Sequence, residues 1–113
     1  MNEHQTNWTD KELFTYILIY CMKADFKGKI TEEDYIKEKL GGQLFIKMLD
    51  EFNADNDLTK AIKIKSTVDA LELNEGQKET LLNDMEELFT VDGDFDIIER
   101  GQLIALKKLI GVD

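Results

Sequence analysis

Leu13-Phe14-Thr15-Tyr16-Ile17-Leu18-Ile19-Tyr20-Cys21-Met22-Lys23-Ala24 reads LFTYILIYCMKA, and only Thr15 and Lys23 in it are not apolar. The four residues Thr9-Asp10-Lys11-Glu12 stand directly in front of it. They form a capping box: the threonine hydroxyl accepts from the amide of Glu12, and the glutamate reaches back. Trp8 before the cap and Leu13 after it are placed to form a hydrophobic staple. The spacing therefore predicts a helix from Thr9 to about Lys23–Asp25. A helix that is apolar nearly all round belongs at the centre of a core. Its apolar run is too short to span a bilayer.

Outward from that helix, the rest of the chain reads as further helices that cover it. Ile30 and Thr31 are placed as staple and N-cap of a second helix. Glu32, Glu33 and Asp34 follow in its first turn, where carboxylates favour the positive end of the helix dipole. Ile36, Leu40, Leu44, Met48 and Phe52 keep a spacing of four across Gly41-Gly42. Two adjacent glycines cost about 2 kcal/mol in a helix interior. This is one kinked helix or two successive ones. Asn53-Ala54-Asp55-Asn56-Asp57 is a polar turn, with Asp57 placed to cap a helix that holds Leu58, Ala61, Ile62, Val68 and Leu71. Lys60, Lys63 and Lys65 on that helix read as a solvated face. Asn74-Glu75-Gly76-Gln77 is a second capping box, and Leu81, Leu82, Met85, Leu88 and Phe89 follow on one stripe. A last helix carries Ile98, Leu103, Leu106, Leu109 and Ile110, with Gly111 as its left-handed terminator and Val112 folding back onto Leu106. No segment alternates as a strand does, and the chain has no proline. The expected fold is all-α, a compact single-domain bundle of five to seven helices with the first one buried. Residues 1–8 read as a polar tail and 9–113 as the folded domain.

Composition narrows the function. The chain has 113 residues, 42% of them hydrophobic and 34% charged, which suits one ordinary folded domain. A net charge of −10 repels phosphate backbones, so nucleic acid is not the expected partner. A protein, or a cation, suits that field better. Cys21, the only cysteine, reads as a small core residue, since the only histidine, His4, lies in the polar tail and supplies no base. No secretory leader or membrane span is visible, so the expected address is the cytoplasm. Ser66 is the only serine and stands in no nucleophile-elbow pattern, and Gly41-Gly42 lacks the lysine and hydroxyl of a phosphate loop. No catalytic residue is assigned.

Two acidic loops remain. Asp25 to Asp34 runs DFKGKITEED, and Asp92 to Glu99 runs DGDFDIIE. Without the insertion Phe26-Lys27 both fit D-G-x-(Ile/Phe)-(Thr/Asp)-x-x-(Asp/Glu). Each position has a mechanical role. The aspartate closes a turn, the glycine permits positive φ, Ile30 or Phe95 anchors the loop, and Thr31 or Asp96 caps the next helix with Asp34 or Glu99 three residues on. The rival role is a cation site. Asp92, Asp94 and Asp96 alternate as in an EF-hand, but Ile97 stands where its glycine belongs and Leu103 where its last glutamate belongs. A looser Ca²⁺ or Mg²⁺ site on Asp92, Asp94, Asp96 and Glu99 stays open, with Asp25, Glu33 and Asp34 as a lesser second set. Zinc has too few histidine and cysteine ligands here.

The paired loops, ADFKGKITEED and VDGDFDIIERGQLIALKKLIGV, resemble those of the tellurite-resistance TerB-like family, over about residues 13–112. Asp25 and Asp92 fall on that family's leading aspartates and Gly93 on its glycine. Gly28 does so only past the insertion. Glu99, and Asp34 or Glu33, fall on the acid of the following helix. Val91 departs from the family's usual alanine. The resemblance implies an all-helical domain linked to tellurite and other chemical stress, with no enzymatic reaction attached to the fold. The expectation is a non-enzymatic, TerB-like module that binds another protein in a stress response. The alternative is a regulatory domain that binds Ca²⁺ or Mg²⁺ weakly.

Overall fold

The computed structural model describes residues 7–24, 30–90 and 97–111. They form six helices and, among these residues, no strand: α1 (Asp10–Ala24), α2 (Ile30–Leu40), α3 (Gly42–Ala54), α4 (Asp57–Leu71), α5 (Glu75–Thr90) and α6 (Ile97–Ile110). The all-α single-domain bundle is what the sequence leads one to expect.

The N-terminal capping box forms as its spacing requires. The Thr9 amide donates to Glu12 Oε1 at 2.8 Å, and the Glu12 amide donates to Thr9 Oγ1 at 3.2 Å. That box starts α1 in a fixed register and turns Leu13, Tyr16, Ile17, Leu18, Ile19, Cys21 and Met22 into the interior. α1 touches all five other helices, so an all-round apolar surface is matched by all-round cover. Trp8 is buried as well, with its ring 4.5 Å from that of Tyr16, and the folded unit therefore reaches back into the stretch read as a tail.

Three expectations are corrected. α2 is already helical at Ile30, so Thr31 stands inside its first turn and not ahead of it. The cap of α4 is Asn56, one residue before Asp57: its Oδ1 accepts from the Thr59 amide at 2.8 Å. Asp57 is then the first helical residue, and its carboxylate lies 3.8 Å from Lys60. The register follows from the three-residue reach of a capping side chain, which Asn56 makes to Thr59. Nor are Lys60 and Lys63 on a solvated face. Lys60 Nζ lies 3.9 Å from the centre of the Phe52 ring, and Lys63 is held by two carboxylates. Only Lys65 fits that description.

The glycine pair breaks the helix. Gly41 has φ 100°, a left-handed conformation, and donates to the Lys37 carbonyl at 2.8 Å to end α2. Its own carbonyl accepts from Phe45 to open α3. The second capping box also forms, with Asn74 and Gln77 exchanging bonds of 2.9 and 2.7 Å. Gly111, at φ 88°, ends α6 by donating to the Lys107 carbonyl. Val112 lies outside the described residues.

Candidate functional site

Asp25, Asp92, Asp94 and Asp96 lie outside the described residues. Glu99 is placed by its backbone in the first turn of α6. Glu33, half-buried on α2, faces Lys37 at 3.9 Å, while Asp34 is exposed. Adjacent residues on a helix diverge by about 100°, so these two do not converge on one point. Among the described residues no cluster of three or more histidine, cysteine or acidic side chains is assembled for a metal ion. Glu32, from the same acidic run, is instead buried.

One polar constellation was not read from the sequence. It joins α1, α3 and α4 beneath the aromatic rings. The Tyr16 hydroxyl donates to Asp55 Oδ2 at 2.8 Å. Lys63 Nζ donates to Asp55 Oδ1 at 3.0 Å and to Glu51 Oε2 at 3.1 Å. Burial, then the Asp55 carboxylate, pushes the Tyr16 phenol far above its ordinary pKa. Burial pulls Lys63 down, but its bonds to Asp55 and Glu51 outweigh that, and the ammonium is held charged. Phe52 packs edge-on against Tyr16 and Tyr20 at 5.5 and 6.0 Å. Donors and acceptors answer one another here, and the group works as a clamp between helices.

A second clamp joins α2 to α5. Tyr35 donates to Glu87 Oε2 at 2.7 Å, and Lys39 lies 3.3 Å from Asp84 and 3.7 Å from Glu87. Lys47 on α3 bonds to Glu12, which holds that carboxyl below its usual range, with the Thr9 amide helping. Cys21 is buried, and the Ser66 hydroxyl donates to the Ile62 carbonyl at 2.8 Å, so neither is presented as a nucleophile.

An open groove of about 380 Å³ lies between α4 and α6. Ala61, Ile62, Lys65, Ser66 and Asp69 line one wall and Leu109 the other. Its position follows from the register of α4. The buried stripe of that helix is Ile64, Thr67 and Val68, so Leu58, Ala61 and Ile62 turn away from the centre. Leu58 is left 70% exposed. On α6 the buried residues are Leu103, Leu106 and Ile110, which leaves Ile104 56% exposed beside exposed Gly101 and Ala105. Lys65 and Asp69 pair along the groove at 3.0 Å. The arrangement offers an apolar floor with one balanced charge pair, which suits a side-chain surface better than a polar small molecule. The sequence did carry its signal, in apolar residues on two sides of α4, but not which side faces in.

No protein-family model matches the chain, and neither does any curated protein or solved structure. Among the described residues no helix is long and apolar enough to cross a membrane.

Proposed function

We propose that this chain is a non-enzymatic helical interaction module of the TerB-like kind, acting in a cytoplasmic response to chemical stress, and that a protein docks on its α4–α6 face. The observation that carries this reading is the groove, with exposed Leu58 one turn before Ile62 on the α4 wall. A single exposed apolar residue is ordinary, but Leu58 continues the strip of Ile62, Lys65 and Asp69 that forms the α4 wall of the groove. The stress context comes from the paired acidic loops and their resemblance to the TerB-like family.

Complementation tests it. A host that lacks the chain is expected to grow poorly in tellurite or a related oxidant, and the wild-type chain to restore growth. The Leu58→Glu chain should fold with unchanged helicity and fail to restore it. Full restoration by that variant would sink the docking role. The cation reading rests on Asp92, Asp94, Asp96 and Glu99 falling within eight residues of sequence, and calorimetry with Ca²⁺ and Mg²⁺ addresses it directly.

A further inference from the structure

We infer that α2 is a hinged cover, which lifts from α1, α3 and α5 as one unit while the other five helices stay packed. Its seat is the least apolar in the fold. Among the described residues α2 buries one apolar side chain, Ile36, where α3, α5 and α6 each bury three and α4 two. Tyr35 and Leu40 pack against the core only half-buried. The other side chain that α2 buries is Glu32, 1% exposed. Burial strips a carboxylate of its water, and its bonds within the protein must first offset that loss. Apolar burial is what chiefly holds a helix against local opening, so α2 stands at the low end of the scale.

A polar latch supplies part of what the seat lacks. Tyr35 donates to Glu87, and Lys39 reaches both Asp84 and Glu87 on α5. Lys39 and Glu87 are 42% and 59% exposed, so water competes for this latch. On the α3 side, Lys37 Nζ lies 5.3 Å from the centre of the Phe45 ring, and that ring is buried. Lifting α2 therefore uncovers an aromatic side chain of α3.

The hinge lies at the C-terminal end of the helix. Gly41 has φ 100°, and a Cβ built on Gly41 or on Gly42 would meet nothing within 4 Å. Both glycines are exposed, so the backbone turns there without displacing a packed side chain. The bond from the Gly41 amide to the Lys37 carbonyl belongs to α2 and travels with it. The bond from the Phe45 amide to the Gly41 carbonyl belongs to α3 and stays. Rotation between them leaves the bonds of each helix intact.

Amide hydrogen exchange on the full chain, followed by NMR at pH 7 where helices reclose faster than they exchange, is the test. The amides of Tyr35 to Leu40 are expected to share one opening, at least about tenfold more frequent than that of Ile17 and Leu18 in α1. Two substitutions separate a lifting helix from general unfolding. Ile64→Val weakens α4, which stays packed when α2 lifts. It should speed exchange at Ile17 and Leu18 about two- to tenfold and leave α2 unchanged. Lys39→Gln removes the ion pairs of the latch and should speed α2 about two- to fivefold, while Lys39→Arg keeps the wild-type rates. Openings of α2 no more frequent than those of α1 would overturn the proposal. A common response of the two helices to Ile64→Val would do the same, as would α2 rates indifferent to Lys39→Gln.

Discussion

Tyr16 shows how much a single buried hydroxyl decides. Its ring lies between Trp8 and Phe52, and its proton goes to Asp55 across 39 residues of sequence. Tyr16→Phe keeps the ring and removes the bond. Asp55 retains Lys63, so the expected cost is about 1 kcal/mol in urea unfolding at pH 7. The pH dependence has a definite sign. The folded phenol titrates above its ordinary value of 10.0, so its contribution is complete below pH 10 and is lost as pH rises further. Wild type should therefore lose stability relative to Tyr16→Phe above pH 10, and parallel curves would refute the coupling. Glu12 behaves oppositely. Its pKa lies below 4.5, held there by Lys47 and the Thr9 amide. Its contribution is present above pH 4.5 and is lost as acid protonates it. Glu12→Gln keeps an acceptor for the capping box but not the charge, so the variant should be less stable at pH 7 and converge with wild type in acid.

At the scale of elements, helix ends carry the fold's grammar. The boxes Thr9/Glu12 and Asn74/Gln77 could be read directly because their chemistry is local and their reach is fixed at three residues. The sequence reading puts the cap of α4 on Asp57 and the structure puts it on Asn56, since either side chain can cap and only the register of the whole helix chooses. The same freedom hid the core face of α4, where Leu58, Ala61 and Ile62 compete with Ile64 and Val68 for the interior. Sequence alone therefore located the helices and missed the groove. The acidic loops drew attention instead, because their charge is visible without any knowledge of facing. Two comparisons check these assignments in thermal or urea melts. Asn56→Ala should cost about 1 kcal/mol, and Asp57→Ala only a few tenths, since its exposed pair with Lys60 contributes little. Gly41→Ala forces a side chain onto a positive φ and should destabilise by about 1 kcal/mol or more. Gly42→Ala meets open space within a helix and should stabilise by about 0.5–1 kcal/mol. Equal effects at the two glycines would mean that the break is not set by Gly41.

For the molecule as a whole, one helix is the common floor of every other, and one excess of charge acts on all of them. Ile17→Ala removes fully buried volume from that floor and should cost about 2–5 kcal/mol in a single cooperative transition. The charge of −10 opposes compaction everywhere, so screening it should raise the melting temperature. That general effect gives the acidic loops a clean test. If their carboxylates serve as helix starts, Ca²⁺ stabilises only by screening, and melts in millimolar CaCl₂ and in NaCl of equal ionic strength coincide. A real site adds RT ln(1 + [L]/Kd), about 1.4 kcal/mol at ten times Kd, which separates the two curves. The helix-start reading expects coincident curves, and it expects Asp94→Asn to move both alike, because position 94 is neither the turn aspartate nor the cap in the repeat. Curves that part for wild type and close again for Asp94→Asn would transfer the acids of the second loop from folding to cation binding.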